Sequence, residues 1–116
     1  MNICLIHGKR VGREVLVRAL SSRLDTDVTG FFCCENALEC SLDHDVFVVY
    51  NNFRKKMSGV RGVAKIRARK TEVFIVGVSS TPNNDKRFLA AGADAFLLRA
   101  GNEIEELVEI IRDHKQ

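Results

Sequence analysis

The chain of 116 residues contains no tryptophan, a single proline (Pro82) and a single tyrosine (Tyr50). Its apolar runs are short. The longest, Val46–Tyr50 and Val73–Val78, fall far below the roughly 20 residues needed to cross a bilayer. No secretion signal is legible, because Lys9 and Arg10 follow the apolar segment Met1–Ile6 instead of preceding it. These absences predict a cytoplasmic protein with no membrane attachment. Cysteines at metal-ligand spacing are missing too. Cys33 and Cys34 are adjacent and no CxxC occurs, so no metal centre is expected. Cys4, Cys33, Cys34 and Cys40 lie within or beside apolar segments, which predicts small buried hydrophobes in a reducing compartment.

What is present is the composition of a globular protein: 46% hydrophobic and 28% charged residues. The length predicts one domain spanning residues 1–116. The net charge of +3 is mild, but its distribution is uneven. Arg54, Lys55, Lys56, Arg61, Lys65, Arg67, Arg69 and Lys70 fall in one stretch without an acid, whereas Glu103, Glu105, Glu106 and Glu109 crowd the C-terminal segment. The basic stretch reads as a solvated helix face, or as a docking surface for an acidic protein partner with Arg54, Lys55 and Lys56 as its candidate residues. A nucleic-acid patch is disfavoured. Only Phe53 accompanies these charges, and the pI of 8.8 is below that of a dedicated binder.

Periodicity predicts alternating strands and helices. Strands are expected at Asn2–His7, Val28–Cys34, Asp45–Tyr50, Val73–Val78 and Ala95–Leu98. The third and fourth are continuous and rich in β-branched residues, as for strands covered on both faces. Helices are expected at Lys9–Leu24, with Val11, Val15, Leu16, Ala19, Leu20 and Leu24 as one apolar stripe, and at Asn36–Leu42. A third runs Gly59–Arg69 with Val60, Val63, Ala64 and Ile66 inward, and a fourth Asn84–Ala91 is closed by Gly92. The last starts after Asn102, with Glu105 as capping-box partner and Ile104, Leu107, Val108 and Ile111 as its buried stripe. Strand–helix alternation implies a parallel sheet wound right-handedly with helices on both faces. Ligands of such sheets bind beyond the carboxyl ends of the strands. The residues there are His7, Gly8, Glu35, Tyr50, Asn51, Asn52, Ser79, Ser80 and Arg99.

Three motifs carry a resemblance. Val76-Gly-Val-Ser79-Ser80 is similar to a fourth strand ending in a small hydroxyl residue. Ala90-Ala-Gly-Ala-Asp94-Ala-Phe96-Leu-Leu-Arg99 is similar to A-x-G-A-D-D-[YF]-L-x-K, and Met57-Ser58-Gly59 to an M-S-G that opens a third helix. With segment order and length matching over the whole chain, the sequence resembles the CheY-like receiver domains of bacterial response regulators. The resemblance implies a flavodoxin-like (βα)5 fold, a doubly wound five-stranded parallel sheet in the order 2-1-3-4-5.

It also implies a chemistry that this chain lacks the residues to perform. Family members hold magnesium with an acid pair after the first strand and an aspartate after the third, which accepts a phosphoryl group. A Ser/Thr after the fourth strand and a Lys after the fifth contact the phosphoryl oxygens. Here the acid pair aligns with His7 and Gly8, and the phosphoacceptor with Tyr50 or Asn51, depending on the end from which the loop is counted. Ser79 matches its position, and Arg99 replaces the lysine with the same charge but a different geometry. Magnesium wants carboxylate oxygens, and neither Asn nor Tyr forms an acyl phosphate. The expectation is a pseudo-receiver without cofactor or catalytic activity.

Side-chain roles follow. His7 and Tyr50 are expected to fill the vacated pocket, with the tyrosine hydroxyl needing a partner. Arg99, stripped of its usual counter-charges, must turn to solvent, pair with Glu35 or another acid, or bind an anion. Phe96 stands at the family's aromatic switch position. His44 and His114 are expected at the surface. The resemblance therefore implies a phosphorylation-independent protein–protein interaction module in bacterial signalling, with homodimerisation through the fourth helix, fifth strand and fifth helix as one option. One alternative is a small-ligand or nucleotide-binding flavodoxin-like protein, disfavoured because His7-Gly8-Lys9-Arg10 supplies only one glycine after the first strand. Another is the receiver fragment of a larger transcriptional regulator.

Overall fold

The computed structural model describes residues 1–40, 43–51 and 56–115. The strands β1 (Asn2–Ile6), β2 (Asp27–Phe31), β3 (Val46–Tyr50), β4 (Phe74–Ser79) and β5 (Ala95–Leu98) alternate with the helices α1 (Arg10–Leu24), α2 (Cys34–Glu39), α3 (Gly59–Arg69), α4 (Asn84–Ala91) and α5 (Glu103–Lys115). All strands pair in parallel, in the order β2-β1-β3-β4-β5. Helices α1 and α5 pack together on one face, and α2, α3 and α4 on the other. Every residue of β3, and all but the first of β4, is buried, as continuous apolar strands between two helical layers must be. On α5, Leu107, Val108 and Ile111 are buried, each worth about 1.5–3 kcal/mol relative to exposure.

Several expectations are corrected. Strand β2 stops at Phe31, and Cys33 becomes the N-cap of α2, whose first residue is Cys34. Burial of Cys33 and Cys34 comes from helix docking rather than from strand pairing, and an apolar run alone does not distinguish the two. Helix α2 ends at Glu39, and the expected Leu42 end lies outside the described residues. Cys40, at its C-terminal cap, is exposed, unlike the other three cysteines. On α1 only Leu16 and Leu20 are buried, whereas Val11 and Val15 are 74% and 52% exposed. At 100° per residue these two valines project away from the Leu16–Leu20 line. Ala64 of α3 faces solvent as well. The ring of His44 is half-buried between Phe31 and Phe47, with centroids at 6.3 and 5.8 Å. His114 is exposed but stacks on Phe74.

The helix ends are set by local chemistry. Gly92 closes α4 in the left-handed region, at φ 117°, where glycine alone carries no Cβ penalty. Ser58 caps α3 by accepting a bond from the Arg61 N–H. The first residue of that helix must be small. A Cβ on Gly59 would lie 2.2 Å from the Tyr50 carbonyl oxygen, so Gly59 lets α3 start directly against the end of β3. The capping box expected at α5 does not form, because Arg23 of α1 takes both carboxylate oxygens of Glu105 at 2.7 Å.

Candidate functional site

The fold brings all six candidate residues to one place. His7 and Gly8 follow β1, Tyr50 ends β3 with Asn51 after it, Ser79 ends β4 and Arg99 follows β5. Ladder bonds extend past the strand ends, from the His7 N–H to the Phe31 carbonyl and from the Arg99 N–H to the Ser79 carbonyl. A cavity of about 70 Å³ lies among these six residues. It opens beside the point where the chain crosses from one face of the sheet to the other.

His7 is 3% exposed and its ring lies against that of Tyr50, with centroids 4.3 Å apart. Its Nδ1 accepts the Lys9 N–H at 3.1 Å, which assigns the proton of the neutral ring to Nε2. Nε2 is buried and has no partner among the described residues. Burial, reinforced by the Arg99 charge, lowers the pKa of the imidazole below its ordinary 6.5, so the ring is neutral at pH 7. On its far side the ring packs against α1. A Cβ on Gly12 would lie 2.9 Å from His7 Cε1. The histidine and that glycine are complementary shapes.

Tyr50 is 4% exposed and its hydroxyl donates to Glu103 Oε2. Burial, then the carboxylate partner, raises the phenol's pKa. The other oxygen of Glu103 accepts a bond from Arg99 Nε at 3.2 Å, and the guanidinium carbon lies 5.6 Å from the Tyr50 ring centroid. Arg99 thus takes the option of another acid. Glu35 accepts the Met57 N–H at 3.0 Å instead, which bonds the segment before α3 to α2 and lowers the Glu35 pKa. Ser79, 4% exposed, accepts bonds from Asn84 Nδ2 at 2.8 Å and the Thr81 N–H at 3.1 Å. The half-buried Phe96 ring sits 5.8 Å from that of Phe88. Lys56 is exposed, while Arg54 and Lys55 lie outside the described residues.

Sequence reasoning missed Glu103. It was one of three acids in the first turn of α5, with nothing to separate it from Glu105 or Glu106. Only docking of α5 beside β3 selects it. Among the described residues it is the one carboxylate hydrogen-bonded to the cluster, and both its oxygens are occupied by protein donors. No set of three His, Cys, Asp or Glu side chains among the described residues could hold a metal ion. The arrangement presents cationic and hydroxyl groups around a small cavity, with one internal carboxylate.

Comparison with known proteins agrees with the fold and adds the family. No protein-family model matches the chain. The two-component response regulator ORR42 of Oryza sativa subsp. japonica is 31% identical over 115 residues, covering 96% of this chain and 86% of the rice protein. Among solved structures, the response regulator TrrA of Thermotoga maritima, in complex with Mg2+-BeF, superposes with a TM-score of 0.86 at 19% identity, covering 97% of this chain and 96% of that one. A CheY-like receiver domain protein of Methanospirillum hungatei gives 0.86 at 16% identity, over 97% and 91% of the two chains. The strand order, the motifs around Ser79 and Asp94, and the extent of the match to the rice regulator together show that the chain belongs to the response regulator receiver domains of two-component signalling.

Proposed function

We propose that this receiver domain works without phosphorylation and transmits its signal through protein contacts alone. The observation that carries the reading is the filling of the strand-end site: His7, Gly8 and Tyr50 with Asn51 stand where the family places carboxylates, and Glu103 is fully engaged by Tyr50 and Arg99. A transferring phosphoryl group needs its developing charge neutralised by metal and cations together. With magnesium's carboxylate ligands replaced, Arg99, Lys9 and the serine hydroxyls remain, and none of the described residues lining the cavity is a carboxylate that could accept the group. The domain is then a regulatory binding module with no catalytic step of its own.

Its partner surface on this reading is the face made by α4, β5 and α5, where Leu89 and Leu98 are 48% and 39% exposed and Lys86 and Arg87 of α4 are exposed as well. Exposed apolar side chains rimmed by charges suit protein contacts, either with another protein or with a second copy. Incubation with acetyl phosphate and magnesium, followed by intact-mass measurement, tests the proposal. The expected spectrum is that of the unmodified chain, and a stoichiometric phosphoryl adduct would refute it.

A further inference from the structure

Two helices on opposite faces of the sheet carry opposite charge at matching spacing. On α3, Arg61, Lys65 and Arg69 are exposed and follow one another at four-residue steps, so they form one ridge spanning about 12 Å along the helix. Ala64 and Ala68 are exposed beside them, and side chains this small let another helix approach closely. Arg61 and Lys65 form no ion pair with any described residue. On α5, Glu106, Glu109 and Asp113 fall within an arc of about 60° and span about 10 Å. Glu109 and Asp113 are exposed and Glu106 is half-buried. The cations nearest to them are engaged elsewhere: Arg23 takes both oxygens of Glu105, and Arg112 donates to the Arg23 carbonyl at 2.9 Å. These three acids have no ion pair among the described residues either.

We propose that the basic ridge of α3 docks on the acidic ridge of α5 of a second copy of this chain, in a head-to-tail contact held by charge. The occupant follows from sign and spacing: three cations meet three acids over nearly the same length of helix, so each charge finds its opposite in one register. Because α3 and α5 lie on opposite faces of the sheet, one molecule cannot satisfy its own ridges. Two joined copies still present a free ridge at each end. Such a heterologous contact propagates into longer stacks instead of closing as a two-fold dimer. Exposed ion pairs each contribute little and are screened by salt, so the contact is weak, with a Kd of about 0.1–1 mM at low ionic strength. It uses charges rather than Leu89 and Leu98, and it does not depend on whether the strand-end site takes a phosphoryl group.

Sedimentation equilibrium of the purified chain tests this, at protein concentrations of about 0.05–1 mM, which bracket that Kd, in about 20 mM and about 500 mM salt. In low salt the average mass should rise continuously with concentration and pass that of a dimer. High salt should return it to that of the monomer. Lys65→Glu and Glu109→Lys should each weaken association at least tenfold when alone. An equimolar mixture of the two should restore it, because the reversed α3 ridge of one variant then meets the reversed α5 ridge of the other. Both substitutions are on the surface, and matching far-UV circular dichroism shows that the variants are folded. A wild type that stays monomeric in low salt, or a mass that levels off at the dimer, overturns the proposal. So does association that either reversal leaves unchanged, or a mixture that associates no better than its components.

Discussion

The fit between His7 and Gly12 yields a prediction whose sign depends on one ring. Replacing glycine by alanine within a helix ordinarily stabilises it by about 0.5–1 kcal/mol. Gly12 has no positive φ, so its backbone accepts alanine without strain. A Cβ there, however, would sit 2.9 Å from His7 Cε1 and 3.1 Å from Nε2, closer than non-bonded carbon atoms approach. The ring has nowhere to retreat, because Tyr50 covers its other side and the Lys9 N–H fixes Nδ1. Overpacking of this kind costs about 1–3 kcal/mol, so Gly12→Ala should destabilise the protein by about 0.5–2 kcal/mol. In a His7→Ala background the obstacle is gone and the same change should stabilise by up to about 1 kcal/mol. The double-mutant cycle should therefore show a coupling of about 1–3 kcal/mol. Urea unfolding followed by far-UV circular dichroism resolves this. With m-values of about 1–3 kcal/mol/M, a change of about 1.5 kcal/mol moves the midpoint by about 0.5–1.5 M. If Gly12→Ala is equally stabilising in both backgrounds, the His7 ring does not occupy the space assigned to it.

Two further outcomes follow from other contacts. Arg67 donates to the carbonyls of Gly92, Thr71 and Val73 at 3.0 Å each, and to Asp94 at 2.6 Å. Arg67→Ala should cost about 2–3 kcal/mol, mostly through the carbonyl bonds at about 0.5–1.5 kcal/mol each, since the half-exposed ion pair contributes little. Arg67→Lys should recover less than half of that in thermal or urea unfolding, because an ammonium lacks the guanidinium fork, and full recovery would contradict this geometry. The second outcome concerns pH. His7 and His44 both have pKa values lowered by burial from an ordinary 6.5. As pH falls through 6.5 the unfolded chain takes up protons that the folded chain resists, so stability should decline between pH 7.5 and 5.5. Glu35 and Glu105, lowered from 4.5, withdraw their contributions only as the pH falls through that value, outside this window. His7→Gln should shrink the decline in urea midpoint, and an unchanged decline would mean that His7 titrates normally.

Much of the architecture was legible because it rests on local periodicity. Continuous β-branched runs announced β3 and β4, and Gly92 announced the end of α4 through its own backbone freedom. The Ala90–Arg99 motif pointed to the family that the rice relative establishes, and Asp94 within it accepts bonds from Arg67 and from the Ile75 N–H. Boundaries failed where burial had two possible causes, as at Cys33 and Cys34. The α1 stripe was drawn too wide because hydrophobicity does not say which side of a helix meets the sheet.

By itself the sequence determined the order of strands and helices and the residues delivered to the strand ends, because each is a property of one segment or one position. Tertiary structure alone decided which partner each of those residues received. Glu103 rather than Glu35 meets Arg99, and Gly12 rather than any other residue accommodates the His7 ring. Those choices depend on how α5 and α1 dock on the sheet, which sums many weak contacts between segments distant in sequence. No single stretch of chain encodes such a sum.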